Sequence, residues 1–125
     1  MEKTRTSWEL VEQFITNVAE LCKDKTFDGV YGLPRGGLVF ATMLSHRLNL
    51  PLLLAPTKNT LIVDDICDSG ESLIHFIKNT SNPSVGKSNQ FVCTMYSAES
   101  QTDIVPDYFF LKSEGKWIVF PWEVE

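Results

Sequence analysis

The sequence has few cysteines and histidines, and none of them lies in a recognisable cluster. Its three cysteines, Cys22, Cys67 and Cys93, are odd in number and widely spaced, which matches neither a disulfide framework nor a zinc site of close pairs. We therefore expect reduced, mostly buried thiols. His46 and His75 are isolated too, so neither is expected to take part directly in chemistry.

The sequence also lacks a long apolar run and an excess of positive charge. Its longest apolar stretches, such as Leu50–Ala55, fall far short of the roughly 20 residues that cross a bilayer, and Met1–Ser7 is polar. Eleven basic against sixteen acidic residues give a net charge of −5, which argues against nonspecific binding to nucleic acid or to an anionic membrane. We expect a cytoplasmic protein that binds neither and holds any anionic ligand by a local device.

What the sequence does contain is enough apolar material for one domain. It has 125 residues, of which 43% are hydrophobic, so we expect a single domain over residues 1–125. Apolar residues at three- and four-residue steps predict a first helix over about Ser7–Lys23, and Thr6 with Glu9 is typical of a capping box at its start.

Short apolar runs then alternate with helical segments. The strand Val30–Leu33 runs into a Pro-Arg-Gly-Gly turn and a second helix that ends near Leu48. Further strands are predicted at Leu52–Ala55, Leu61–Val63, Phe91–Tyr96 and Tyr108–Leu111, with a short helix at Gly70–Lys78, an exposed loop at Asn79–Asn89 and a packed apolar tail at Trp117–Trp122. This alternation favours an α/β fold in which helices flank an open, mainly parallel, twisted sheet.

One apolar strand leads directly into three carboxylates and a Ser-Gly-x-Ser turn. The backbone N–H groups of Ser69–Ser72, at the start of a helix, are suited to bind a phosphate. Asp64 and Asp65 lie at the carboxyl end of the strand, where open α/β sheets bind ligands, and they suit sugar hydroxyls or a hydrated Mg²⁺. Alternatively, Asp68 or Ser69 only caps the helix and the acidic pair is a solvated strand end.

A second turn of similar character joins Val30–Leu33 to the next helix. The glycines of Pro34–Gly37 allow backbone amides to approach an anion, and Arg35 adds a positive charge. By itself this turn is ordinary, because glycine commonly follows proline in turns. Two such turns at neighbouring strand ends favour a phosphate-bearing ligand.

These two motifs resemble those of a known enzyme family. Val63–Ser72 resembles the 5-phosphoribosyl 1-pyrophosphate signature of type I phosphoribosyltransferases, and Leu33–Gly37 resembles their pyrophosphate loop. The likeness extends over nearly the whole chain and is strongest to the xanthine-guanine and hypoxanthine-guanine members. It is carried further by Ser7-Trp8, Pro106-Asp107-Tyr108, Trp117-Ile118 and Pro121-Trp122-Glu123. It implies the type I phosphoribosyltransferase fold with a small C-terminal hood that binds the base.

The resemblance also implies a role for each matched residue. Asp64 and Asp65 would hold the ribose hydroxyls, with Asp65 also touching Mg²⁺, and Asp68 would accept a proton from the base. The 5-phosphate would be bound by Ser69, Gly70, Glu71 and Ser72, pyrophosphate by Pro34, Arg35, Gly36 and Gly37, and the base by Trp117, Ile118 and Ser97. Arg35 and Mg²⁺ would neutralise the departing pyrophosphate. In the family the peptide bond that corresponds to Pro34–Arg35 can be cis.

The C-terminal segment allows a structural interpretation as well. Trp117 suits either a base or core packing, since buried aromatics supply much of the apolar contact in a small domain. Phe120 and Trp122 favour packing, and Lys112 and Lys116 are expected in a solvated turn.

The sequence departs from the family pattern in two places. The long mobile loop of the family is nearly absent, since only Pro56–Thr60 separates Ala55 from Leu61. Parallel strands need a connection of about a dozen residues or more, so Leu52–Ala55 is either antiparallel or too short for a full strand. The base-reading lysine of the family falls at Ser97, whose hydroxyl can donate a hydrogen bond but carries no charge.

We therefore expect a transferase that moves the phosphoribosyl group from 5-phosphoribosyl 1-pyrophosphate to a purine base in purine salvage, releasing pyrophosphate, with Mg²⁺ as cofactor. The alternative is a regulatory protein of the same fold that binds a nucleotide or 5-phosphoribosyl 1-pyrophosphate without turnover. The missing loop and Ser97 favour it, whereas Asp68 and Arg35 oppose it. A phospho-acceptor signalling domain also places paired aspartates after a strand, but no Pro-Arg-Gly-Gly loop is expected there. Family members form dimers or tetramers, which implies a homo-oligomer.

Overall fold

The computed structural model describes residues 2–67, 89–98 and 106–124. Its elements there are β1 (Lys3–Arg5), α1 (Trp8–Cys22), β2 (Gly29–Gly32), α2 (Gly36–Leu48), β3 (Thr60–Cys67), β4 (Phe91–Ser97), β5 (Tyr108–Lys112) and β6 (Trp117–Val119). The predicted helix at Gly70–Lys78 and nearly all of the predicted loop at Asn79–Asn89 lie outside these ranges. Neither described helix is long and apolar enough to cross a membrane.

Four strands form one sheet in the order β2-β3-β4-β5, and every neighbouring pair is parallel. The predicted strand Leu61–Val63 is completely buried within β3, as expected for a strand covered on both faces of a parallel sheet. The structure therefore confirms the open α/β architecture. It also extends β3 to Cys67, so that Asp64 and Asp65 belong to the strand itself.

The first helix contacts the sheet through the apolar stripe that its sequence predicts. Its buried residues recur at steps of three and four positions: Val11, Phe14, Ile15, Val18 and Cys22. Phe14 meets Phe40 of α2 edge to face, with ring centroids 5.3 Å apart. Both helices thus share one apolar core with the buried side chains of β3 and β4.

The C-terminal tail packs as expected. β6 pairs in parallel with β1 in a separate two-stranded sheet, and Ile118 and Phe120 are buried. The Phe120 ring stacks on Trp122 at a centroid distance of 5.1 Å. The prediction that Phe120 and Trp122 serve packing is therefore confirmed, whereas Trp117 remains 60% exposed.

The segment that starts at Leu52 makes a single parallel bridge to Val30. The Val30 N–H donates to the Pro51 carbonyl at 2.9 Å, and the Leu53 N–H donates to the Val30 carbonyl at 2.8 Å. The antiparallel alternative is therefore wrong, and the segment is too short for a strand. After Leu53 the chain turns back toward the N-terminal end of β2. The short connection to β3 therefore does not have to cross a face of the sheet.

The return passes the N-terminal end of β2. The Asp28 N–H donates to the Asn59 carbonyl at 2.8 Å, and the Thr57 hydroxyl donates to Asp28 Oδ2 at 2.8 Å. This connection, which stands where the family has its mobile loop, is thus fixed at the end of the sheet opposite the acidic pair.

The predicted capping box of Thr6 and Glu9 is wrong. Ser7 is the N-cap of α1, and its hydroxyl accepts a hydrogen bond from the Leu10 N–H at 3.2 Å. The Thr6 N–H donates to the Val119 carbonyl, which holds Thr6 at the end of β1 and turns its side chain inward. Its hydroxyl lies 2.8 Å from the Tyr96 hydroxyl in the core.

This buried hydroxyl pair yields a stability prediction. Tyr96→Phe leaves the Thr6 hydroxyl buried without its partner, so we expect unfolding to become easier by about 1–2 kcal/mol. Thr6→Val should have a similar effect. The double variant should cost less than the sum of the two changes by about 1 kcal/mol, measured by urea denaturation. Strict additivity would show that the two hydroxyls do not depend on each other.

Candidate functional site

The site begins where the start of α2 meets β3. A side-chain carbon at Gly36 would fall on the carboxylate of Asp65, and one at Gly37 would fall on the carbonyl oxygen of Val63. The carbonyl of Gly37 also occupies the place that a side chain at Gly32 would need. Glycine at these positions therefore lets the turn after β2 lie directly against the acidic pair.

The predicted pyrophosphate loop forms this turn. The peptide bond between Pro34 and Arg35 is cis, as the resemblance implied. Arg35 is the exposed N-cap of α2, and the Gly37 N–H donates to the Leu33 carbonyl at 2.8 Å. The Leu38 N–H likewise donates to the Arg35 carbonyl at 3.1 Å, so the start of α2 favours an anion mainly through the positive end of its dipole. The loop therefore brings a guanidinium and a helix N-terminus to the edge that holds Asp65.

The acidic pair is ordered by its own backbone. The Asp65 N–H donates to Asp64 Oδ1 at 2.8 Å, and the Ile66 N–H donates to Asp65 Oδ1 at 2.7 Å. Asp65 Oδ2 lies against Gly36. Both side chains are half-buried, so they are not the solvated strand end of the alternative interpretation.

The surroundings of Asp64 disfavour its ionised form. Burial, with the neighbouring charge of Asp65, raises the pKa of Asp64 to about 8, although the hydrogen bond from the Asp65 N–H opposes this rise. This shift favours the protonated carboxyl of Asp64 at neutral pH. A cation or a ligand that donates hydrogen bonds would favour the ionised form.

Magnesium fits these residues, whereas a cage made only of protein ligands does not. In the described part of the chain, no three His, Cys, Asp or Glu side chains come together as possible metal ligands. Mg²⁺ commonly keeps several waters and takes one or two carboxylates together with substrate phosphates. The pair of carboxylates beside the predicted pyrophosphate loop suits that mode.

The residues predicted to bind the base are spread over two sheets. Ser97 ends β4, where it pairs with Cys67 of the strand that carries the acidic residues. Trp117 begins β6 and exposes its ring. The ribose, pyrophosphate and Ser97 positions thus share one edge of the main sheet, and Trp117 belongs to the smaller sheet.

The backbone of Ile118 is directed as its predicted role requires. The Trp117 N–H donates to the Glu2 carbonyl at 2.9 Å, and the Val119 carbonyl accepts from the Thr6 N–H at 2.8 Å. Because alternate residues of a parallel strand bond to one neighbour, the N–H and C=O of Ile118 point away from β1. These groups can meet the edge of a base.

The structure adds two residues that the sequence analysis missed. Lys112, expected in a solvated turn, ends β5 and pairs in register with Ser97. Thr94 pairs in register with Asp64. No local pattern marks either residue, because register between distant strands is a property of the folded sheet. The predicted residues Asp68, Ser69, Gly70, Glu71 and Ser72 lie outside the described ranges.

The raised pKa of Asp64 predicts a pH-dependent stability. In the unfolded chain the carboxyl ionises near its ordinary value of about 4, so between pH 4 and 8 only the folded chain holds the proton. The contribution of Asp64 to the free energy of unfolding is therefore fully present below about pH 4, and it is lost as the pH rises to about 8. Asp64→Asn cannot ionise, and we expect it to unfold less readily than the natural chain at pH 8, by on the order of 2 kcal/mol, with no difference near pH 4.

Thermal unfolding across this pH range tests the prediction. Asp24→Asn, which makes the same chemical change at an exposed position, is the control. A gain for Asp64→Asn that is equal at all pH values would contradict the assignment to ionisation.

Comparisons with known proteins give matches among solved structures. Neither a protein-family model nor a curated protein matches the sequence. A purine phosphoribosyltransferase from Pyrococcus horikoshii OT3 is 30% identical, with a TM-score of 0.84, and the match covers 100% of this chain and 96% of that one. The Helicobacter pylori xanthine-guanine-hypoxanthine phosphoribosyltransferase is 22% identical, with a TM-score of 0.78 and coverage of 98% and 95%. A Neisseria gonorrhoeae protein with bound ppGpp is 17% identical, with a TM-score of 0.78 and coverage of 98% and 90%.

The last two matches show the shared fold, and the first shows homology over the full chain. The cis peptide bond before Arg35 and the close approach of Gly36 and Gly37 to β3 agree with this homology. The chain therefore belongs to the type I phosphoribosyltransferase family.

Proposed function

We propose that this protein transfers the 5-phosphoribosyl group from 5-phosphoribosyl 1-pyrophosphate to a purine base and releases pyrophosphate. The observation that supports the proposal is the close approach of Gly36 to the Asp65 carboxylate, which brings the glycine turn after β2 together with the two carboxylates of β3. The Pyrococcus horikoshii neighbour, which is named a purine phosphoribosyltransferase, supports the same reaction. Purine salvage is the corresponding role. The expected homo-oligomer and cytoplasmic location stay predictions.

In this proposal each group acts at one stage of a displacement at the anomeric carbon. The bond from that carbon to pyrophosphate breaks, and a bond to a purine ring nitrogen forms. Arg35 and the N-terminus of α2 stabilise the departing negative charge. Asp64 and Asp65 orient the ribose hydroxyls and face the developing positive charge of the sugar. The proton of the purine nitrogen passes to Asp68.

The proposed metal acts at the leaving group. Asp65, with Asp64 beside it, would hold Mg²⁺ in the manner that suits this pair of carboxylates. When bound, the ion would neutralise charge on pyrophosphate.

We further propose that Lys112 helps to read the base. Lys112 and Ser97 are partners in adjacent parallel strands, so their side chains leave the sheet on the same face. The Ser113 N–H donates to the Ser97 carbonyl at 3.0 Å, which fixes this pairing at the strand ends. In the described ranges Lys112 has no ion pair, whereas Lys116 lies 3.8 Å from Glu114. An ammonium group beside the Ser97 hydroxyl would favour a purine that presents a carbonyl oxygen.

A regulatory protein that binds nucleotide without turnover is the second candidate. The connection from Leu53 to Thr60 favours it, because its bonds to Asp28 fix it at the end of the sheet away from Asp65. This segment therefore cannot exclude water from a reacting sugar. Binding alone needs no such exclusion.

An assay of pyrophosphate release separates the two candidates. With 5-phosphoribosyl 1-pyrophosphate and Mg²⁺, we expect release in the presence of guanine, hypoxanthine or xanthine. Arg35→Ala should lower kcat/KM by about a hundredfold, because it removes charge that faces the leaving group. Arg47→Ala is the matched control, since Arg47 lies on the same helix and binds Glu12 at 3.3 Å on the protein surface. Tight nucleotide binding by calorimetry without release would favour the regulator, and the absence of both would refute each candidate.

A second assay tests the base-reading lysine. Lys112→Gln should weaken the binding of GMP by about tenfold and leave that of AMP nearly unchanged, because only the first base presents a carbonyl oxygen at this position. Lys116→Gln removes the same charge nearby and is the control. Adding Ser97→Lys to Lys112→Gln should restore GMP binding. Equal losses for both nucleotides would show that Lys112 acts only as a general positive charge.

A further inference from the structure

The side-chain hydroxyl of Thr94 is buried and makes no hydrogen bond within the described ranges. It lies in the middle of β4, and its side chain is 0% exposed. In the ranges that the structure describes, its hydroxyl oxygen has no hydrogen-bond partner. A buried hydroxyl without a partner destabilises the folded protein, because it loses its hydrogen bonds to water and gains none in return. Val92, which lies two residues earlier and therefore on the same face of β4, is buried and apolar, so valine would pack well in place of Thr94.

The sheet places this hydroxyl beside the acidic pair. Thr94 pairs with Asp64 on one side and with Phe109 on the other, and directly paired residues of neighbouring strands point to the same face. Phe109 offers no ordinary acceptor. Of the two residues paired with Thr94, only Asp64 is polar. Neighbouring strands such as β3 and β4 lie about 4.8 Å apart. A hydroxyl and a carboxylate on such partners come within hydrogen-bond distance when their side chains rotate.

Asp64 has an oxygen available for this bond. Its Oδ1 accepts from the Asp65 N–H at 2.8 Å, and its Oδ2, with two lone pairs, can accept from a ligand hydroxyl and from Thr94 together. A carboxylate that binds sugar hydroxyls must keep a defined orientation. A hydrogen-bond donor that contacts the carboxylate from the protein side would fix that orientation.

We propose that Thr94 is a positioning residue for the ribose subsite: when a nucleotide engages Asp64, the Thr94 hydroxyl donates to the Asp64 carboxylate and fixes its orientation. The inference rests on the proposed function only in placing the ribose hydroxyls at Asp64. It explains why a threonine occupies a buried position at which, in the described ranges, its hydroxyl has no partner. In the proposed complex that hydroxyl is hydrogen-bonded.

The test compares a variant that keeps the shape with one that keeps the hydroxyl. Thr94→Val should raise the melting temperature of the ligand-free protein by about 3–5 °C, because it removes an unsatisfied polar group. It should also weaken the binding of GMP in the presence of Mg²⁺ by about tenfold in calorimetry. Thr94→Ser should bind GMP within about twofold of the natural protein. Binding of inorganic pyrophosphate with Mg²⁺, which has no ribose, should be unaffected in both variants.

Each other outcome is informative in a different way. A lower melting temperature for Thr94→Val would mean that the hydroxyl has a structural partner, which overturns the inference. Unchanged GMP binding by Thr94→Val would overturn it as well, while leaving the proposed function intact. If the natural protein itself binds no GMP, the proposed function fails, and the positioning role fails with it.

Discussion

The approach of α2 to β3 is the contact on which the site depends. Gly37 lies against the Val63 carbonyl of β3 and against the backbone of Gly32 in β2. Both contacts are therefore between backbone atoms. No side-chain rotation could relieve an added carbon there, and the turn would have to move away from the strand. Such a movement would separate Arg35 from Asp65. The glycines therefore serve the site by allowing two oppositely charged segments to lie at one edge of the sheet.

The acidic pair and Thr94 are costly to the fold in two related ways. The chain has a net charge of −5, and β3 places two carboxylates side by side in a half-buried position. The pKa of Asp64 is raised, and within the described ranges the Thr94 hydroxyl has no hydrogen-bond partner. The ligand that we propose, which carries hydroxyls and phosphate and binds with a cation, would relieve both costs. Local departures from good packing thus cluster at the predicted site.

Features that depend on neighbouring residues could be predicted from the sequence, and features that depend on distant partners could not. The strand Leu61–Val63 and the glycine turn after β2 follow from local apolar pattern and turn chemistry. Thr6 was misassigned as a cap, because its hydroxyl bonds to a residue 90 positions away in the sequence. Lys112 and Thr94 gain their significance from strand register, which no short sequence window contains. Asp64 and Asp65 could be identified because they directly follow an apolar strand and precede a glycine turn, and their burial was not foreseen.

The connection after Leu53 limits how the proposed reaction could be protected from water. A sugar that develops positive charge reacts with water as well as with a base, so transfer requires that water be kept from the anomeric carbon. The segment that returns to β3 bonds to Asp28 at the far end of β2 and cannot cover Asp65. A purine stacked on the exposed ring of Trp117 and held near Lys112 would occupy the face from which water attacks. In such a site the bound base itself would keep water away from the anomeric carbon. The affinity for the base, rather than the closure of a loop, would then set the ratio of transfer to hydrolysis.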